Sequence, residues 1–240
     1  ESSSGNEQIF INKSKLDQFK DMTNLSHINE DEIAYTLYTS GSTGKPKGVQ
    51  IRQKNILSWT LNMHDIYQID QPYNASNTYD LTFDLSVADM FFTWTNGGTL
   101  CVLPEYEKLL PTEYINREDI GIWSSVPTII SFMNDMGALK PNAFPGIERS
   151  LFCGEALTKK LADAWHRAAP NSTLENLYGP TEATIWLSRY EYKPKNHDGD
   201  FRNGIVPIGK PFPNHRFELI DSDGKMVKDS PGEIVYKGPQ

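Results

Sequence analysis

The stretch YTSGSTGKPKG, Tyr38 to Gly48, sets four Ser/Thr hydroxyls, three glycines and two lysines side by side with no acid among them. It follows a β-rich run, Ile33 to Tyr38, so the loop leaves the end of a strand. Small residues there let backbone N–H groups and hydroxyls crowd around an anion, and Lys45 and Lys47 add positive charge. A phosphate-holding loop fits this composition. It is not a Walker loop, because counting from Gly41 puts Pro46 where that pattern needs Gly-Lys-Ser/Thr. No Gly-x-Gly-x-x-Gly follows a strand either. The alternative is a flexible surface turn, since Gly, Ser, Thr and Pro are what loops contain.

Outward from this loop, short β-rich runs alternate with helical patterns. Strands are expected at Ile33–Tyr38, Val49–Ile51, Thr99–Leu103, Gly121–Trp123 and Ser150–Cys153. Helices are expected at Asn55–Ile66, Leu85–Trp94, Pro127–Met136 and Thr158–Ala168. The last has Thr158 as N-cap and Leu161, Ala164, Trp165 and Ala168 on one apolar face, with His166 at its rim. This is α/β patterning. Residues 1–30 read as a polar arm or the remnant of an upstream region, residues 31–190 as an α/β core, and residues 191–240 as a charged loop and a β-rich segment. In that segment Glu191–Asn203 is the loop, and Arg216–Ile220 and Glu233–Tyr236 are β-like runs joined through Asp221–Gly224.

Composition narrows the function classes. With 240 residues, 38 % of them hydrophobic, the chain can bury a sizeable core. A formal charge of -8 gives no overall basic field for nucleic acid or an anionic membrane. There is no signal-like start and no apolar span long enough for a bilayer. Cys101 and Cys153 form no ligand pair, and the five histidines show no metal-ligand spacing, so a reducing, cytoplasmic setting is expected.

A second segment bears on the phosphate reading. Asn176-Leu-Tyr-Gly-Pro-Thr-Glu182 combines a strand-like entry, a Gly179-Pro turn, a hydroxyl and a carboxylate. One acid beside a triphosphate suits Mg²⁺, which takes few protein carboxylates and fills its shell with phosphate oxygens and water. Glu182 is the candidate ligand and Thr181 the candidate phosphate donor. The alternative is a helix start whose dipole these two residues complement.

Together, YTSGSTGKPKG and NLYGPTE resemble the signature motifs of the adenylate-forming superfamily of acyl- and aryl-CoA ligases, luciferases and nonribosomal-peptide adenylation domains. The resemblance implies the central part of that fold's large N-terminal domain, β-sheets flanked by helices with a β-rich C-terminal segment. It also implies ATP and Mg²⁺ as cofactors. Thr39, Ser40, Gly41, Ser42, Thr43, Gly44 and Lys47 become the phosphate loop. Tyr178 stacks on adenine, Thr181 touches phosphate and Glu182 binds Mg²⁺, while Gly154, Glu155, Asn176 and Gly179 line the nucleotide pocket.

Leu81-Thr-Phe-Asp-Leu-Ser86 resembles the Phe-Asp-x-Ser motif of amino-acid-activating members, whose Asp pairs with the substrate ammonium. Asp84 holds that position here, with a helix cap as its alternative role. Ser150-Leu-Phe-Cys-Gly-Glu-Ala-Leu157 and Asn176–Thr184 look like D-alanine:D-alanyl-carrier-protein ligases and free-standing enzymes that load proline or glycine on carrier proteins. Leu139–Pro145 with Ala169–Ser172 looks like the prolyl type. By this analogy Leu85, Ala88, Ser124, Leu151, Cys153, Leu177, Ile185 and Trp186 line the side-chain pocket. It is mostly apolar and shortened by Trp186, and so suits a small uncharged amino acid. Cys153 is equally well a small buried hydrophobe and not a nucleophile.

The implied chemistry is in-line attack of the substrate carboxylate on the α-phosphorus of Mg·ATP, releasing pyrophosphate. Transfer to the phosphopantetheine thiol of a carrier protein follows. Family members run to roughly twice this length or more, and continue to a ribose-binding aspartate, a hinge and a C-terminal lysine. The chain is therefore expected to be a fragment, weak or inactive alone. Two other readings stay open, an acyl-CoA ligase for a small carboxylic acid and a non-catalytic module that binds nucleotide or a partner.

Overall fold

The computed structural model describes residues 29–40, 44–69, 71–194, 201–228 and 230–240. The arm expected over residues 1–30 lies outside them except for its last two residues. The loop of the opening stretch connects β1 (Ile33–Thr39) to β2 (Lys47–Arg52), an antiparallel pair in which Thr39 sits opposite Lys47. Lys47 thus belongs to a strand at the base of the loop, and β2 starts two residues before the Val49 expected from the sequence. Helix α1 (Gln53–Tyr67) follows, and its buried Ile56, Trp59, Met63 and Tyr67 repeat at the spacing of one helical face.

Next come β3 (Asn74–Asn77), α2 (Asp84–Thr95), β4 (Thr99–Val102), α3 (Thr112–Arg117), β5 (Ile120–Ser125), α4 (Pro127–Asp135), β6 (Arg149–Phe152), α5 (Lys159–Ala168), β7 (Thr173–Tyr178), β8 (Ser188–Tyr192) and β9 (Lys210–Pro211). They build one sheet in the order β4-β3-β5-β6-β7-β8-β9, parallel from β4 to β7 and antiparallel over the last two strands. A separate antiparallel sheet, β11-β10-β12, is formed by β10 (Arg216–Ile220), β11 (Met226–Val227) and β12 (Glu233–Lys237). The turn at Asp221–Gly224 therefore joins β10 to β11, a short strand ahead of β12, and does not lead straight to the second β-like run. The charged loop expected from Glu191 begins later as well, since Glu191 and Tyr192 are paired residues of β8.

Side chains alternate across the sheet, and adjacent residues enter different cores. Trp123, Phe152 and Leu174 join Tyr114 of α3, Ile130 and Met133 of α4 and Trp165 of α5. Their neighbours Ile122 and Leu151, with Ala75 and Leu177, join Trp59 and Met63 of α1 and Leu85, Ala88 and Phe92 of α2. Burial on both faces is what a parallel sheet covered by helices requires. Helix α5 starts as expected, with Thr158 Oγ1 accepting from Leu161 N at 3.3 Å, and its Trp165 Nε1 donates to Ser150 Oγ at 2.7 Å. One buried charge ties α1 to the sheet. Glu175 of β7, 1 % exposed, accepts from Tyr67 Oη at 2.5 Å and Arg189 Nη1 at 2.7 Å. No helix among the described residues is long and apolar enough to cross a membrane.

Strand order fixes where a ligand fits. From β3 the chain moves to β4 on one side, and β5 then returns to the other side of β3. In open α/β sheets the crevice at the carboxyl ends of strands flanking such a reversal is the binding site.

Candidate active site

The carboxyl ends of β5, β6 and β7 deliver Ser124, Cys153 with Gly154, and Tyr178 with Gly179, to one edge of the sheet. Both glycines have steric reasons to be glycine. Gly154 has φ +91°, and a Cβ on Gly179 would stand 1.8 Å from the Ile185 carbonyl oxygen. A cleft of about 370 Å³ opens there, lined by Cys153–Ala156, Asn176–Gly179, Ile205, Val206 and Ile208. It brings together the expected nucleotide residues Gly154, Glu155, Asn176, Tyr178 and Gly179. Its far wall, residues 205–208, follows a stretch with no regular pattern, which is why sequence reasoning missed it.

Asn176 is 3 % exposed and donates through Nδ2 to the carbonyls of Val206 and Pro207, at 3.1 and 3.0 Å, fixing that wall. Its Oδ1 is buried without a partner. Buried polar atoms are rarely left so, and an unpaired acceptor on a residue that lines the cleft suits the amino edge of a purine base. Glu155 is anchored, with Oε2 accepting from Thr128 N at 2.9 Å and from the Thr128 hydroxyl at the start of α4. An acid there complements the helix dipole.

The two motif segments meet in the structure. Strand β2 packs against the 3-10 turn Thr181–Ala183, which brings the β1–β2 hairpin next to the NLYGPTE segment. Ser40, Gly44 and Lys47 are exposed, while Gly41, Ser42 and Thr43 lie outside the described residues. Glu182 is exposed on its turn, and Thr181 beside it is half-buried.

Asp84 is 8 % exposed and opens α2 from inside the helix. Phe83 is the N-cap and makes no side-chain capping bond, so Asp84 is not the cap. Its Oδ2 is buried and makes no hydrogen bond of good geometry, although the Thr181 hydroxyl and the N–H groups of Leu85 and Ile185 lie near the carboxylate. Burial raises the Asp84 carboxyl above its ordinary value, against the opposing pull of the Thr181 hydroxyl and the N–H groups of Leu85 and Ile185. Behind it, Leu85, Ala88, Leu151, Cys153, Leu177, Ile185 and Trp186 are all buried in one cluster, and Trp186 stands 5.5 Å from Trp59, ring to ring. Ser124 is also buried, its N–H donating to Ser76 Oγ at 2.9 Å. The Cys153 thiol is pushed up to about 12 by burial, so it stays protonated and a poor nucleophile.

The segment after Glu182 is strained. Thr184 and Ile185 have φ of 62° and 64°, a conformation β-branched residues avoid, and yet Ile185 is fully buried. Such strain costs on the order of 1–3 kcal/mol and persists where the surroundings over-determine it, commonly at ligand sites. Gln240 is one of those surroundings. Its Nε2 donates to the carbonyls of Thr184 and Trp186 at 3.0 and 2.9 Å, and its Oε1 accepts from Asn62 at 3.2 Å. Nothing in the sequence signals this clamp.

This geometry can be set against known proteins. The AMP-binding enzyme family matches residues 3–240. The chain belongs to this family. A D-alanine–D-alanyl carrier protein ligase of Bacillus cereus (strain G9842) is 31 % identical over 216 residues, covering 88 % of this chain and 42 % of the relative. That of Streptococcus pyogenes serotype M5 (strain Manfredo) is 36 % identical over 226 residues, with the same shares. Among solved structures, the Vibrio cholerae adenylation domain AlmE in complex with glycyl-adenosine-5'-phosphate superposes with a TM-score of 0.81 at 34 % identity, covering 88 % of this chain and 40 % of that one. The chain thus spans about two fifths of the length of these relatives. It is an adenylation-domain family member with the α/β fold of the N-terminal part of such domains.

Proposed function

We propose that this chain is the nucleotide- and amino-acid-binding part of an AMP-forming ligase. The enzyme activates a small amino acid with ATP and passes it to the phosphopantetheine thiol of a carrier protein. The observation that carries the reading is Asp84, a buried carboxylate whose Oδ2 makes no hydrogen bond of good geometry, at the head of a closed apolar cluster and next to the cleft of Asn176. A buried charge without a counter-charge is costly, and a substrate α-ammonium is the group that relieves it. The named activities of the carrier-protein ligases, and the glycyl-adenosine-5'-phosphate in the Vibrio cholerae structure, support a small amino acid and a carrier partner.

In this reading the residues position and neutralise, and none acts as a nucleophile. Asn176 Oδ1 accepts from the adenine amino group, and Tyr178 faces the base. Asp84 holds the ammonium so that the substrate carboxylate points out of the apolar cluster toward Thr181 and the hairpin loop. Bringing carboxylate and α-phosphorus into near-attack geometry is the main contribution such a site can make. The orphaned Asn176 Oδ1 and the tight turn at Gly179 fit a nucleotide, and the exposed carboxylate of Glu182 fits Mg²⁺, which needs few protein ligands. Bound there, Mg²⁺ would supply charge neutralisation on the phosphates.

The test is hydroxylamine trapping by the full-length protein, with mass-spectrometric detection of loading onto a phosphopantetheinylated carrier. Hydroxamate from small amino acids, and none from the matching acids that lack the amino group, is the expected result. Hydroxamate from simple carboxylic acids, with no dependence on the ammonium, would make the protein an acid ligase.

A further inference from the structure

The pocket residues expected from the motifs come from α2, β5, β6, β7 and the segment after Glu182. None comes from β3, although β3 and β5 flank the reversal of strand order where a ligand crevice is expected. Two residues beyond the carboxyl end of β3 stands Tyr79. The chain leading to it is stitched to β5 at Ser124. Thr78 Oγ1 donates to the Ser124 carbonyl at 2.8 Å, and Ser76 Oγ accepts from the Ser124 N–H at 2.9 Å. The Tyr79 ring packs on the same cluster that holds Leu85, Ala88, Cys153 and Trp186. Its Oη and Ser124 Oγ are both buried, and neither makes a hydrogen bond of good geometry, although the Ser124 hydroxyl lies near both Tyr79 and Asp89.

We propose that Tyr79 is a specificity-determining residue that closes the side-chain end of the amino-acid pocket and restricts it to the smallest substrates. The inference rests on the amino-acid reading of Asp84 and adds a wall that this reading lacks. The electrostatics agree with the placement. The Tyr79 phenol is held well above its ordinary range, by burial first and then by Asp89 and Cys153, with the Ser124 hydroxyl pulling the other way and Asp84 adding the smallest push, so its surroundings include both the carboxylate proposed to bind the ammonium and the pocket cysteine. The other group behind it is Asp89, 4 % exposed, whose Oδ2 accepts from Asn77 Nδ2 at 3.3 Å. A second acid at this end does not call for a cationic side chain on the substrate, because burial raises the Asp89 carboxyl well above its ordinary value. In this proposal a substrate held by its ammonium at Asp84 directs its side chain toward Cys153, Trp186 and Tyr79, which belong to or pack on one cluster, and the phenol ring and the indole limit that side chain to hydrogen or a methyl group.

The test compares wild type, Tyr79→Ala, Tyr79→Leu and Tyr79→Phe in the full-length protein by kcat/KM in amino-acid-dependent ATP–pyrophosphate exchange. The substrates are glycine, alanine, 2-aminobutyrate, valine and leucine. Thermal shift with the matching aminoacyl sulfamoyladenosines serves as a binding readout. A pocket discriminates by roughly 10- to 200-fold per methylene. Tyr79→Ala should therefore raise valine or leucine relative to glycine at least 10-fold, Tyr79→Leu should shift the same ranking less, and Tyr79→Phe should keep it. Ala and Leu variants that lose activity on every amino acid by one common factor, with the ranking intact, would make Tyr79 a packing residue and overturn the proposal. No exchange with any amino acid in the wild type would instead remove the amino-acid reading itself, and this inference with it. If Tyr79→Ala does not fold, the Leu variant and its analogue-binding profile decide the matter.

Discussion

Replacing Asp84 by Asn separates a ligand-directed carboxylate from a structural one, because the two roles predict opposite changes in stability. Asparagine keeps the shape and removes the charge. If the buried Oδ2 waits for a substrate ammonium, the variant loses a hydrogen bond between two charged groups, worth about 1.5–3 kcal/mol. That corresponds to a fall in kcat/KM for the amino acid of roughly 10- to 150-fold, with KM for ATP unchanged. The free enzyme should meanwhile gain stability, by about 0.5–2 kcal/mol as is common when a functional-site liability is removed. At ~2–4 °C per kcal/mol for a domain of this size, the shift is measurable by scanning calorimetry. The sign of the pH dependence follows from the raised carboxyl. A folded-state value above the unfolded one means that the native state holds its proton longer, so wild-type stability falls as pH rises from the unfolded value through the folded one. The advantage of Asp84→Asn should thus be absent in strong acid, grow across the carboxylate range and level off above it. A variant less stable than wild type at neutral pH, with ATP and amino-acid parameters damaged together, would refute the reasoning and make Asp84 structural.

Three further changes probe the frame around the site. Gly179→Ala places a Cβ 1.8 Å from the Ile185 carbonyl, so the backbone must move; a loss of about 1–3 kcal/mol in denaturant unfolding, together with weakened nucleotide binding by calorimetry, is expected. Arg189→Met strips the partner from a carboxylate that is 1 % exposed, and should cost about 3 kcal/mol in urea unfolding, the low end for a broken buried pair because Tyr67 still donates to Glu175. Gln240→Ala releases the carbonyls of Thr184 and Trp186 at about 1 kcal/mol per lost bond. Its signature should be a raised KM for the amino acid with KM for ATP little changed, since the clamp acts on Ile185 and Trp186.

The two motifs carried the family resemblance, which the family match bears out, because a Gly- and hydroxyl-rich loop and a Gly-Pro turn demand particular residues at particular places. The helix expected at Asn55–Ile66 was equally readable, and it runs over Gln53–Tyr67. Strand β3 was not. Asn74-Ala-Ser-Asn77 has no apolar alternation, and its polar groups are buried only because partners from other elements meet them: the Glu118 carbonyl for Asn74, Ser124 for Ser76 and Asp89 for Asn77. Those partners are distant in sequence, so a local reading has no access to them. Tyr79 went unnoticed for the same reason, since a residue placed by an unseen strand cannot be assigned to a pocket. The left-handed Thr184 and Ile185 contradict their own propensities and are held by tertiary contacts, Gln240 among them. Strand β8 was read partly as loop because Glu191 is charged, whereas near the sheet edge a charged side chain can face solvent while its backbone pairs.

The central claim is that this chain carries the adenylation site for a small amino acid, and ATP–pyrophosphate exchange by the full-length protein tests it most directly. The panel is glycine, both alanine enantiomers, serine, cysteine and proline, with acetate and propionate as controls. Exchange driven by one or a few of the smallest amino acids, with silence from the simple acids, is the expected result. Exchange with the simple acids alone would contradict it, and would leave Asp84 a buried carboxylate with no ammonium to meet.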